Sequence, residues 1–250
     1  MGHPAESLHW YARDGSPAYT VIGANGKERP TTLRDARTLG LVPSVTTIIK
    51  CAAAPALERW KADQLMMAAL TLPRRPREPE AEWLKRVYTD AQEASRQAAE
   101  RGTLIHAAVQ GHYEGQEPRE YAAHVAGAVE VVRAFDADLG VPERAFCAQQ
   151  YGGKVDLSCR SAVLDIKTKD FGPDDKLETY DEHAMQLAAY RAGLDGVDPE
   201  ARCAIVYVSR THPGLARLIE IERAALDRGL AMFDALVTFW YARTGLQPLQ

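Results

Sequence analysis

The chain has 250 residues, with 30 Lys and Arg against 34 Asp and Glu, a formal charge of −4. Its 46% hydrophobic and 26% charged residues are ordinary for a soluble globular protein, long enough to bury a core without disulfide or metal staples. No apolar run approaches the ~18 residues that span a bilayer, residues 1–10 lack a basic-then-apolar leader pattern, and the acidic balance argues against bulk positive charge as a means of binding nucleic acid.

Cys51, Cys147, Cys159 and Cys203 are scattered without CxxC spacing, which removes zinc-ribbon and iron–sulfur readings. The expectation is four reduced, mostly buried thiols in a cytoplasmic protein.

In chain order, residues 9–42 read as irregular or hairpin-rich, with Asp14-Gly15 and Asn25-Gly26 as turn signals beside the run Ala18–Ile22. Pro43-Ser44 opens a strand-to-helix segment over 45–70, in which Pro55 is an interruption or a first-turn residue. The stretch 71–80, TLPRRPREPE, reads as an exposed linker. Helical periodicity covers 82–114, where Gly102 is expected to bend or divide the helix, and 120–139, with Gly140 as a stop. Short strands are predicted over 144–149, 154–159 and 162–169, a helix over 182–194, strands over 203–209 and 217–222, and a terminal helix over 224–243. The order β-β-β-α-β-β-α on a helical platform predicts an α/β fold with a mixed sheet.

The segment YGGKVDLSCRSAVLDIKTKD, residues 151–170, carries the most chemistry. A hairpin turning at Arg160-Ser161 pairs positions that sum to 321 and sets Asp156 across from Asp165. Facing Cβ atoms in such a pair lie ~5 Å apart, close enough for both carboxylates to grip one divalent cation. Strand alternation puts Lys167 on the face of Asp165, as a catalytic group or simply as neutralisation of the acids. Gly153, three residues before Asp156, permits close approach of a phosphate or a strained backbone, or serves as a plain turn into the strand.

Two flanking helical segments add candidates. His106 lies in RGTLIH, and HAMQLAAY places His183, Gln186 and Tyr190 on one helical face. Gln186 and Tyr190 could hold a phosphate or orient Lys167, or form the edge of an ordinary amphipathic helix.

Taken in order, G-T-x-x-H, G-x-x-D, D-I-K-T and Q-x-x-x-Y resemble the RecB-type nuclease branch of the PD-(D/E)XK superfamily over roughly residues 91–209. The segment Pro43–Ile48 also resembles one in phage-encoded and mitochondrial single-strand exonucleases of that branch. The resemblance implies a restriction-endonuclease-like core over 81–250, a central mixed sheet flanked by helices. Residues 1–80 would be an N-terminal helical and irregular extension that contacts DNA. It implies His106, Asp156, Asp165 and the Ile166 backbone carbonyl as ligands of one or two Mg²⁺ or Mn²⁺ ions, with no iron–sulfur cluster. Lys167 would position the attacking water or stabilise developing charge, and Gln186 and Tyr190 would support the site or the DNA backbone. Glu143 or Gln149 would add an outer contact. Two departures stand out: Val155 precedes the first acid where the family has proline, and the cysteines of the iron–sulfur relatives are absent.

The activity implied is metal-dependent exonucleolytic hydrolysis of DNA, single-stranded or at duplex ends, in phage or bacterial recombination or repair. The setting would be a bacterial cytoplasm, with a phage- or prophage-encoded origin and a single-strand annealing or single-strand-binding protein as partner. A structure-specific endonuclease and a decayed DNA-binding module are the alternatives. Arg59-Trp60-Lys61 and the hydroxyls of Ser44, Thr46 and Thr47 are candidate DNA contacts, alongside plainer roles as helix surface.

Overall fold

A computed structural model describes residues 9–53, 55–136 and 138–247; most of the leader reading over residues 1–10 lies outside them. Near the N-terminus, β1 (Trp10–Tyr11) pairs antiparallel with β4 (Val42–Pro43), and β2 (Thr20–Ile22) with β3 (Glu28–Pro30). The predicted Asn25-Gly26 turn joins the second pair, with Gly26 at φ 72° and the Asn25 carboxamide accepting from the Lys27 N–H. Between them lies a helix absent from the sequence reading, α1 (Leu33–Leu39). Thr32 and Asp35 cap it reciprocally, and Gly40 ends it in the left-handed region.

Ser44 caps the short α2 (Val45–Ile49), and Pro55 is the first residue of α3 (Pro55–Thr71). The stretch read as an exposed linker is tied down. Trp83 Nε1 donates to the Leu72 carbonyl at 2.7 Å, and Arg86 bonds both Glu78 and the Pro73 carbonyl. It joins α3 to α4 (Glu80–Tyr113) as a helical hairpin, with Ala68, Val87 and Ala91 buried between them. The next helix, α5 (Ala122–Phe135), stops at an Asp136 cap, short of the predicted Leu139.

The second half follows the predicted order. It comprises β5 (Val141–Cys147), β6 (Gly152–Ser158), β7 (Ala162–Lys169), α6 (Asp181–Gly193), β8 (Arg202–Ser209), β9 (Ala216–Glu220) and α7 (Arg223–Thr244). The strands form one mixed sheet in the order β5-β6-β7-β8-β9, antiparallel except for β7–β8, whose parallel pairing uses α6 as its crossover. The protein is thus α/β with helices on both faces of a five-stranded sheet.

Each sheet face has its own core. Val163, Ile205 and Tyr207 pack with Leu187 of α6 and Phe233 of α7, on the side that also receives Trp10 and Val45. Leu164, Ile166, Val206 and Val208 pack with Ile105 and Val109 of α4 and Val125 and Val132 of α5. The period of two along β7 therefore turns Asp165 and Lys167 toward α6. The N-terminal segment contacts this body through α2 against α6 and α7 and through a bridge from Ser44 to Gly152. All four cysteines are free, but only Cys203 is buried; the other three are half-exposed, in loops or at strand ends. Among the described residues no helix is long and apolar enough to cross a membrane.

Candidate active site

The site forms where β6 and β7 separate. Leu157 faces Leu164 and Ser158 faces Val163, the register expected from a turn centred at Arg160-Ser161. The paired ladder ends there, so the predicted Asp156–Asp165 pair is not formed. Along β6, Val155 joins one core and Leu157 the opposite one, so the alternation is broken at Asp156. Across the β5 side of this break sits Glu143, at φ 54°. The freed Asp156 side chain takes the place of a backbone acceptor: its Oδ2 receives the Ile166 N–H at 2.6 Å.

His106 arrives from α4, its Nε2 3.2 Å from Asp156 Oδ2. The helix runs unbroken through Gly102, contrary to the expected bend. Its missing side chain serves close packing instead, since a Cβ there would collide with Thr168 Oγ1 on β7. Arg210, after β8, fastens the same junction by donating to the Ala98 carbonyl at 3.0 Å and to Asp170 at 2.8 Å. A cleft of about 340 Å³ opens here, lined by Ala99, Gly102, Thr103, His106, Ile166, Lys167 and Thr168.

On the other side, Asp165 is buried, with Lys167 Nζ 2.9 Å from its Oδ2. Gln186 of α6 joins both: its Nε2 donates to Asp165 Oδ1 at 2.7 Å, and its Oε1 accepts from Lys167 at 3.2 Å. An ammonium only donates and a carboxylate only accepts, so the carboxamide orientation is fixed by its partners. Gln186 Nε2 also reaches Tyr190 Oη at 3.1 Å, one turn on. Gly153, read as a place for phosphate approach, is filled otherwise: a Cβ there would meet the rings of Tyr190 and Phe146.

These surroundings shift the ionisable groups. Burial pushes the Asp165 carboxyl up, outweighing the adjacent Lys167. Burial pulls the Lys167 ammonium down, yet the carboxylates around it, Asp165 foremost, leave it above its ordinary value. The hydrogen bond to Asp156 raises His106, and burial raises Tyr190.

The donor set at this site could hold a divalent cation. Asp156 and Asp165 supply hard oxygens and His106 a nitrogen. Asp165 Oδ2 is buried, with the Lys167 ammonium 2.9 Å away. Among the described residues no three His, Cys, Asp or Glu side chains form a ready cage, because His106–Asp156 and Asp165–Lys167 are held as separate pairs.

Other expected residues fall elsewhere. His183 bonds the Tyr180 N–H at 3.2 Å, capping α6. Ser44 and Thr47 are buried and spend their hydroxyls on each other and on the start of α2, so they are not open phosphate donors. Glu143 is ion-paired to Lys154, and the Gln149 backbone carbonyl accepts from Arg13. Arg210 had no local sequence signal. Glu182 did have one: it stands four residues before Gln186, and its charge acts on Lys167. No protein-family model matches the chain, and no curated protein matches it.

Proposed function

We propose that the sheet and its flanking helices are a restriction-endonuclease-like core, and that the protein is a divalent-cation-dependent deoxyribonuclease, with exonuclease action favoured. The observation that carries this reading is the convergence of His106, Asp156, Asp165, Lys167, Gln186 and Tyr190. They come from α4, β6, β7 and α6 and meet along one gap between strands, where His106 and Lys167 line a cleft and Asp165, Gln186 and Tyr190 are buried behind it.

Asp156, Asp165 and His106 would hold the cation, with the Ile166 carbonyl as a further ligand. Bound Mg²⁺ or Mn²⁺ supplies polarisation of the phosphate and a lowered pKa for a coordinated water. The chain's own contribution is orientation and charge. Lys167, kept protonated by its carboxylate neighbour, is a fixed donor for a phosphate oxygen as negative charge grows on it. Gln186 holds Lys167 and Asp165 in one geometry, and Tyr190 holds Gln186 from below. Mutual positioning of this kind lowers the reorganisation needed during an in-line displacement.

A linear DNA and a covalently closed circle of the same sequence, each with Mg²⁺ or with chelator, separate the readings. An exonuclease degrades the linear form alone, and an endonuclease nicks the circle. Binding without cleavage in Mg²⁺ would mark a decayed module.

A further inference from the structure

Among the described residues, three that are not glycine take a left-handed backbone: Arg77, Tyr121 and Glu143, at φ 62°, 59° and 54°. Arg77 and Tyr121 lie in connections between elements. Glu143 lies inside β5, where extended backbone is the norm and a residue with a Cβ resists positive φ. Its place in the sheet is specific. Val141 and Pro142 pair with Ser158 and Leu157, and Arg144 and Ala145 pair with Val155 and Lys154. The one pair this run skips is Glu143 with Asp156. The register is the same on both sides of the skip, so neither strand has gained a residue. One residue on each strand leaves the ladder, and the two departures match.

We propose that Glu143 is a positioning residue for Asp156. Its left-handed turn opens the β5–β6 ladder at one step and lets the Asp156 side chain turn across the gap toward β7. A regular strand sends its side chains straight out of the two sheet faces. Asp156 Oδ2 instead lies 2.6 Å from the Ile166 backbone nitrogen and 3.2 Å from His106 Nε2. The turn is pinned by its own side chain. The Glu143 carboxylate is ion-paired to Lys154, two residues before Asp156 on β6, and the Glu143 side chain is only 13% exposed. Strain of this kind persists where the surroundings fix it, and it gathers at functional sites. Here it faces an acid whose part in catalysis rests on the function proposed above.

The test separates backbone from side chain. Glycine takes the left-handed turn without strain and so needs no pin, whereas valine, branched at Cβ, resists it. Hydrogen exchange at the Ile166 amide reads the position of Asp156 without metal or DNA, and exchange at Val206 of β8 reports global opening. In Glu143→Val the Ile166 amide should exchange at least about tenfold faster relative to Val206, and nucleotide release from linear DNA in Mg²⁺ should fall by a similar factor. Glu143→Gly should stay within about threefold of wild type in both. If Glu143→Val does not fold, Glu143→Ala replaces it and should move Ile166 in the same direction. Ile166 exchange unmoved by valine, or moved as far by glycine, overturns the proposal. So does full nuclease activity in a variant whose Ile166 amide has lost its protection. A protein inactive on DNA whose Ile166 amide responds as stated refutes the nuclease reading and leaves the positioning of Asp156 by Glu143 standing.

Discussion

Gln186→Leu removes a side chain that bonds both members of the Asp165–Lys167 pair. The carboxamide gives Asp165 a 2.7 Å bond and takes a 3.2 Å bond from Lys167, both inside the fold. A hydrogen bond to a charged group is worth ~1.5–3 kcal/mol, and Lys167, already 2.9 Å from the other Asp165 oxygen, offsets part of the loss. Leucine restores most of the volume, which keeps the cavity contribution small. The net loss should be about 2–3 kcal/mol, a fall of roughly 5–10 °C in Tm for a chain of this size. Urea unfolding of wild type, Gln186→Leu, Tyr190→Phe and the double variant measures it. The cycle should also reveal coupling, since Tyr190 Oη accepts from the same amide. A Gln186→Leu cost below about 0.5 kcal/mol would refute the claim that this network holds the site together.

Two further predictions concern the fold. Burial, then the charges of Lys167 and Lys169, lower His183 from 6.5 to about 4, while its Nδ1 accepts the Tyr180 N–H. The unfolded chain therefore binds a proton that the native one refuses. Stability should be intact above pH 6.5 and fall by up to about 3 kcal/mol as pH drops to 4, with a flatter profile in His183→Asn by urea titration. In α5, a Cβ on Gly127 would strike the Gly214 carbonyl, a backbone atom that cannot rotate away. Gly127→Ala should cost about 1–3 kcal/mol in thermal unfolding, and Gly127→Val more.

The hairpin at the centre of the site was legible because strand period and turn position are local properties. The sum of 321 predicts the Leu157–Leu164 register, and strand alternation the placement of Lys167 beside Asp165. The end of the ladder at Asp156 was not legible, because it depends on Glu143 across the neighbouring strand and on Ile166 bonding a side chain. Helix α1 escaped because it is short and its Thr32–Asp35 cap lies among turn-forming residues. Gly102 illustrates a different limit. A glycine within a helical pattern signals either a break or a close approach, and only the position of Thr168 decides between them. Arg210 acts across 112 residues of chain, on a carbonyl that any residue type would supply.

The central claim is that Asp165 and Lys167 do cation-dependent chemistry on DNA, beyond balancing each other's charge. The direct measurement is release of acid-soluble nucleotide from linear DNA by wild type, Asp165→Asn and Lys167→Ala, each shown to be folded, with Mg²⁺ and with chelator. The account predicts release by wild type in Mg²⁺ alone and a loss of at least about a hundredfold in both variants. Equal release by either folded variant, or release that chelator leaves unchanged, would contradict it.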